Sequence, residues 1–190
     1  MEAVQGISPA WGKNIAKVLY SKEAIEARVQ ELANDLNKVY DSENPPVCIG
    51  LLKGAFVFTA DLLRAVKFSH EVDFMGLSSY GKGTESKGSI TVTKNTSISV
   101  KGRRVLVIED IVDTGNTLKW LLNFLKEEGA ADVRTCVLFD KSERRDVEGL
   151  EVEHIGFHCP NEFIVGYGLD FAEQYRTLPF VGVLKPEAYA

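Results

Sequence analysis

Apolar residues recur along this chain with two spacings, and the points where the spacing switches delimit the elements. From Ser21, a suitable helix N-cap, the segment Lys22 to Tyr40 carries Ile25, Val29, Leu32, Leu36 and Val39 on one face, which predicts an amphipathic helix. Asn44-Pro45-Pro46 stops it. Val47 to Leu52 reads as a buried strand, followed by a Lys53-Gly54-Ala55 turn and a helix with Phe56, Ala60, Leu63 and Val66 inward. Val72 to Tyr80 alternates as the next strand, Gly81 to Gly88 is polar and glycine-rich, and Ile90 to Val100 reads as a strand pair around Asn95-Thr96. Val105 to Ile108 is a run of four large apolar residues, short and β-branched enough for a strand covered on both faces. Leu118, Leu121, Leu122 and Leu125 then recur at helical spacing until Gly129. Val133 to Phe139 is another buried strand, ending in Asp140-Lys141, and Ser142 to Asp146 is a charged turn. Glu151 to Phe157 and Phe163 to Val165 read as short strands around Cys159-Pro160-Asn161, and Phe180 to Leu184 as a last strand closed by Pro186. Residues 1–20 carry too weak a pattern to predict an element.

Strand and helix alternate, so the fold class is α/β with a mostly parallel central sheet flanked by helices. Neither a repeat nor a linker interrupts residues 1–190, so a single domain is expected. With 190 residues, 45% of them hydrophobic, such a domain buries a good core. A formal charge of −5 with dispersed acids gives no reason to expect a nucleic-acid surface. No stretch reaches the length of a membrane span, and Met-Glu-Ala-Val-Gln-Gly has neither the basic nor the apolar part of a secretory signal. Three cysteines, Cys48, Cys136 and Cys159, form no C-x-x-C, which fits a reducing cytoplasm better than a disulfide framework.

Candidate chemistry concentrates after the four-residue apolar run. Glu109, Asp110 and Asp113 lead into Thr114-Gly115-Asn116-Thr117 and a helix. The acids and the turn therefore lie at the carboxyl end of a strand and the amino end of a helix, where open α/β sheets bind ligands. Unpaired N–H groups and the helix dipole favour a phosphate there, with Thr114 and Thr117 as added donors and Gly115 allowing close approach. No lysine follows the glycine, so the turn is not a nucleoside-triphosphatase P-loop. Two adjacent carboxylates beside a phosphate site suit ribose hydroxyls or a magnesium ion, a combination that describes a sugar phosphate. A solvated strand end, or a receiver-type phosphoacceptor, remains the plainer reading of the same residues.

The stretch Val105 to Leu118 resembles the phosphoribosyl-pyrophosphate signature of the type I phosphoribosyltransferases. Lys141 and Phe163-Ile-Val-Gly-Tyr-Gly-Leu-Asp170 are similar to purine-site segments of their hypoxanthine-guanine branch. The likeness runs from about Val47 to the end of the chain. It implies the type I phosphoribosyltransferase fold, with a small hood drawn from the N-terminal segment and residues 142–190. It implies transfer of the 5-phosphoribosyl group from phosphoribosyl pyrophosphate to hypoxanthine or guanine, with Mg2+, in a homodimer or homotetramer of the cytoplasm, without a nucleic-acid or membrane partner. Asp113 would then be the acid/base residue, a task its position shares with N-capping. Glu109 and Asp110 would hold the ribose hydroxyls directly or through magnesium, and Thr114, Gly115, Asn116 and Thr117 the 5′-phosphate. Lys53 and Gly54 would form the pyrophosphate loop, often built in this family on a non-proline cis peptide, here Leu52–Lys53, and Arg176 would assist. By composition alone Lys53 is a solvated lysine. Lys141 would donate to the 6-oxo group, as an ammonium offers donors only and so rejects adenine. Phe163 would stack on the base, although its default is core packing, and Ile164 would contribute its backbone. Asp170 would flank the purine site and supply the second magnesium ligand; without the resemblance, Asp170 and Arg176 are surface charges. Ser79 and Tyr80 would begin a lid formed by residues 81–88, otherwise a hairpin tip. A xanthine-preferring relative and an RNA-binding attenuation regulator share the signature.

Overall fold

The computed structural model describes residues 8–80 and 89–189. The elements in chain order are α1 (Pro9–Gly12), β1 (Ile15–Tyr20), α2 (Lys22–Leu36), β2 (Val47–Leu52), α3 (Phe56–Ala65), β3 (Glu71–Tyr80), β4 (Ser89–Lys94), β5 (Arg104–Val112), α4 (Asn116–Glu127), β6 (Asp132–Asp140), β7 (His154–His158), β8 (Ile164–Val165) and β9 (Val181–Leu184). Short 3-10 turns cover Ser142–Arg144 and Pro186–Ala188.

Six strands form the main sheet in the order β4-β3-β2-β5-β6-β7. All neighbours are parallel except β4, which runs antiparallel to β3. Alternation along the buried strands explains the doubly covered sheet. Cys48, Leu106 and Ile108 face a core built with Ile25, Leu32, Leu36, Phe58 and Leu62 of α2 and α3. Val47, Ile49, Val105 and Val107 face a second core with Leu118, Leu121 and Leu125 of α4. The strand order reverses between β2 and β5, and the crevice outside their carboxyl ends is the topological switch point where such sheets take ligands. That position puts the Lys53-Gly54 turn beside the acidic turn.

A second sheet of three strands, β1-β9-β8, joins residues from both ends of the chain. It packs over a small core of Ile15, Val165, Tyr175, Leu178, Phe180 and Leu184, with Trp11 and Phe171 against it. This is the hood.

Three expectations need correction. On α3 the inward face is Phe58, Thr59, Leu62 and Leu63, while Phe56 and Ala60 are exposed, because an apolar first turn (Phe56, Val57, Phe58) allows more than one helical face to be read from spacing alone. Residues 1–20 do contain a strand, β1, paired antiparallel with β9. Its register shifts twice and half of its residues are exposed in one unbroken run, so no alternation marks it in the sequence. The segment Ile90 to Val100 holds one strand, β4, and no second one. There the buried Asp73 carboxylate accepts the amides of Ser97 (2.6 Å) and Ile98 (3.1 Å) and the Ser97 hydroxyl (2.9 Å), so these groups satisfy themselves on a side chain. All three cysteines are free and buried. Burial raises the Cys48 thiol to about 12 and the Cys159 thiol to about 11, leaving both protonated and inert at neutral pH.

Candidate active site

The acidic turn is built by an abrupt change of backbone hand. Helix α4 is N-capped by Gly115 at φ +87° with no side-chain cap. A Cβ there would lie 2.7 Å from Arg145 Cδ and Val147 Cγ2 and 2.8 Å from Leu150 Cδ2, so both the φ and the space require glycine. Asn116 braces the turn, its Nδ2 donating to Thr114 Oγ1 (3.1 Å) and Asp146 Oδ1 (2.8 Å). Above it opens a cleft of about 120 Å³ lined by Glu109, Ile111, Val112, Asp113, Thr114, Gly115, Thr117 and Leu118. Thus the structure brings the sequence-predicted residues from Glu109 to Thr117 around one concavity, apart from Asp110, whose carboxylate lies against Gly54, and Asn116, whose side chain is turned to Thr114 and Asp146.

The acid pair is electrostatically loaded. Burial first, then repulsion from Asp110, pushes the Glu109 carboxyl well above the ordinary carboxylate range. Burial likewise raises Asp110. An acid pair in this condition accepts a compensating cation or hydroxyl donors. Among the described residues no group of three or more His, Cys, Asp or Glu forms a metal cage. A cation held here would therefore draw part of its shell from a bound molecule, as magnesium sites on phosphates do.

Three loops meet at backbone distance beside this pair. A Cβ on Gly54 would overlap the Asp110 carboxylate, and one on Gly168 would overlap the Gly54 carbonyl. Leu52–Lys53, the peptide ahead of Gly54, is cis. The Lys53 ammonium reaches Glu173 Oε2 (3.0 Å), which also lies 3.3 Å from Arg176 Nη2. Arg176 further contacts Asp170 Oδ1 (3.0 Å) and donates to the Gly168 carbonyl (2.9 Å). Between Gly166 and Arg176, Tyr167, Ala172, Glu173 and Tyr175 all adopt left-handed φ between 50° and 73°. Such residues cost about 1–3 kcal/mol each and persist where surrounding bonds fix them. Here those bonds are Tyr167 N to Leu178 O, Gly168 N to Arg176 O and Glu173 N to Asp170 Oδ2, between 2.8 and 2.9 Å. Sequence reasoning passed over Glu173; its place between Asp170 and Arg176 was the available signal.

On the other side of the acidic turn, Lys141 is only 9% exposed. Its amide donates to Val112 O (2.9 Å) and its ammonium to Glu162 O (2.8 Å). Phe163, next in the chain, keeps 37% of its surface exposed. Ile164 is buried in β8 against β9. Arg144, which the sequence offered only as part of a charged turn, sets its Nε 2.6 Å from Asp113 Oδ1. That approach is a charge contact between the guanidinium and the carboxylate. Ser79 and Tyr80 end β3; the residues 81–88 expected as a lid lie outside those described.

A phosphoribosyl transferase domain model matches residues 16–172 of this chain. The chain belongs to the phosphoribosyl transferase family. The bifunctional protein TilS/HprT of Listeria monocytogenes (serotype 4b, strain F2365) is 48% identical over 177 residues, 93% of this chain and 27% of that protein, so the chain spans about a quarter of its length. A hypoxanthine-guanine phosphoribosyltransferase of Streptococcus mutans is 46% identical over 178 residues, 94% of this chain and 98% of that one. The crystal structure of a hypoxanthine phosphoribosyltransferase from Staphylococcus aureus superposes with a TM-score of 0.91 at 38% identity, over 97% of this chain and 99% of the other. In this family member the expected α/β architecture with its hood is thus met. No helix among the described residues is long and apolar enough to cross a membrane.

Proposed function

We propose that this chain transfers the 5-phosphoribosyl group from phosphoribosyl pyrophosphate to the 6-oxopurines hypoxanthine and guanine, forming IMP or GMP and pyrophosphate in purine salvage. One observation carries the substrate class. The buried Lys141 is tied through its own amide to the Val112 carbonyl, so a donor-only cation stands one main-chain hydrogen bond from the acidic turn. An ammonium in that position accepts a 6-oxo group and leaves an adenine amino group unpaired, which a closed site penalises.

The roles follow from the chemistry of displacement at C1 of the ribose. The 5′-phosphate sits on the Thr114–Thr117 turn, held by the amino end of α4 and the threonine hydroxyls. The ribose hydroxyls meet Glu109 and Asp110, whose negative charge also favours the cationic ribose as pyrophosphate departs. Backbone amides around Lys53 and Gly54, with Arg176, hold the leaving group. Asp113 takes the proton from the attacking purine nitrogen, with Arg144 at 2.6 Å from its Oδ1 holding the carboxylate in place. Phe163 stacks on the base, Ile164 offers its backbone, and Asp170 flanks them. The acid pair and Asp170 suit Mg2+, which they would hold together with substrate oxygens. When bound, the ion neutralises charge on the pyrophosphate. The enzyme works in the cytoplasm as a homodimer or homotetramer, with Ser79 and Tyr80 starting the cover over the reacting atoms.

The test offers hypoxanthine, guanine, xanthine and adenine in turn, with magnesium and phosphoribosyl pyrophosphate, and measures nucleotide formed. Turnover is expected with hypoxanthine and guanine and essentially none with adenine. Equal use of adenine, or no turnover with any base, overturns the reading.

A further inference from the structure

The 3-10 turn Pro186–Ala188 delivers Tyr189 onto the Phe163 ring. Their ring centroids are 4.8 Å apart and their planes 22° from parallel, an offset stack. Phe171 meets Phe163 at a right angle, with centroids 5.5 Å apart. Even so, over a third of Phe163 remains open to solvent. Stacked on one side and braced by a perpendicular ring, Phe163 still has surface to offer a planar ligand.

The segment carrying Tyr189 is not a loose end. Lys185 N donates to Asn14 O (2.9 Å), and the Asn14 side chain donates to the Tyr175 hydroxyl (2.9 Å). Ala188 N and Tyr189 N close the turn on Lys185 O and Pro186 O. Leu184 N, just before the turn, donates to the Phe163 carbonyl (2.9 Å). Phe163 is thereby held twice by one stretch of chain, at its backbone by β9 and at its ring by Tyr189. Glu162, immediately before it, is the residue whose carbonyl holds the Lys141 ammonium.

We infer that Tyr189 is a positioning residue for the base: it backs the Phe163 ring and fixes its plane so that the opposite face receives the purine. The inference rests on the proposed 6-oxopurine transfer. Tyr189 acts through Phe163 and touches no reacting atom. Among the described residues its hydroxyl has no hydrogen-bond partner, so the aromatic ring is the part that matters.

The experiment compares Tyr189→Ala, Tyr189→Leu and Tyr189→Phe in steady-state kinetics with hypoxanthine and phosphoribosyl pyrophosphate varied separately. An aromatic pair is worth roughly two- to tenfold in an equilibrium constant. The Ala and Leu variants should raise the KM for hypoxanthine by about that factor, with kcat and the KM for the sugar phosphate near wild type, and Phe should restore wild-type values. The leucine variant serves if alanine does not fold, since it keeps the apolar bulk and loses the ring. An unchanged hypoxanthine KM in Ala and Leu overturns the inference. So does a lowered one, which would mean that the tyrosine ring occupies the base site. A uniform loss in all three constants, which a purely structural role would give, also overturns it. Wild-type protein that turns over no 6-oxopurine sinks the underlying reading instead, and the two failures are told apart in the same assay.

Discussion

Two strand-turn-helix units stand side by side at the centre of the sheet, and they differ in what surrounds an otherwise similar device. Both β2–α3 and β5–α4 end a buried parallel strand at a helix whose N-cap, Ala55 or Gly115, provides no side-chain cap. In each, the N-cap side chain makes no claim on the amino end of its helix, a condition that favours an anion; at α4 the only acceptor that a hydrogen bond brings there, among the described residues, is Thr114 Oγ1, at a long 3.5 Å from Asn116 N. The first unit is closed in: Gly54 packs against Asp110 on one side and Gly168 on the other, and Lys53 points to Glu173. The second opens into a cleft with hydroxyls and carboxylates at its rim. In the proposed reaction the enclosed turn, with Lys53 and Arg176 at its flank, would take the pyrophosphate that leaves, and the open turn the phosphate that stays with the product. Local motif and tertiary neighbourhood together assign the task; the motif alone would make the two units interchangeable.

The sharpest way to break this contrast is Asp113→Asn in the open turn. Turnover should fall by about 10²–10⁴-fold with sugar-phosphate affinity near wild type, read by single-turnover and binding measurements. An unchanged rate would remove Asp113 from the chemistry. Gly115→Ala comes next. It forces a left-handed φ on a residue with a Cβ and drives that Cβ into Arg145, Val147 and Leu150. A cost of about 1–3 kcal/mol should lower the thermal midpoint by roughly 2–10 °C and weaken phosphoribosyl-pyrophosphate binding, measured by calorimetry.

A smaller effect separates the flank of the first unit by pH. Burial alone would raise the Asp73 carboxyl on β3. The amides of Phe74 and Ser97, the Lys94 ammonium and the Ser97 hydroxyl outweigh it and hold the group below the usual carboxylate range. A group lowered in the folded state stabilises above its unfolded value, about 3.9, and loses that contribution as pH falls through the folded one. Asp73→Asn should therefore be less stable than wild type at neutral pH. The gap should narrow in denaturant titrations taken below about pH 4. A gap independent of pH would show that ionisation of Asp73 is not what anchors residues 94–98. The smallest effect belongs to Lys53→Gln, because its pair with Glu173 is exposed at both ends. The thermal midpoint should not move measurably, while any loss of pyrophosphate inhibition would report on the closed turn.

The central platform was legible because its physics is local. Val105 to Ile108 serve two cores in alternation, and an unbroken apolar run is the direct signature of that. The helix spacing of α2 and α4 and the acidic turn are equally contained within a few residues. The hood was not legible in the same way. β1 is held by β9, more than 160 residues later, through an irregular register that leaves half of it exposed. Ile90 to Val100 read as a pair of strands because its apolar residues are spaced for one, yet Asp73, a residue of β3, captures its amides. Arg144 and Glu173 escaped notice for a related reason. A charge in a turn acquires its meaning from the residue it faces, and Asp113 and Lys53 lie 31 and 120 positions away. Tyr189 is an extreme case, since nothing in its own neighbourhood points to Phe163.

The contact between Gly54 and Gly168 sets an unequal rule for sequence change at the two positions. What blocks a methyl group at Gly54 is the side chain of Asp110, and a side chain can be trimmed by a second substitution. What blocks one at Gly168 is a carbonyl oxygen, which every amino acid carries. A compensating mutation is therefore available in principle at one end of the seam, at the expense of the Asp110 carboxylate, and at the other end no exchange of side chains can make room.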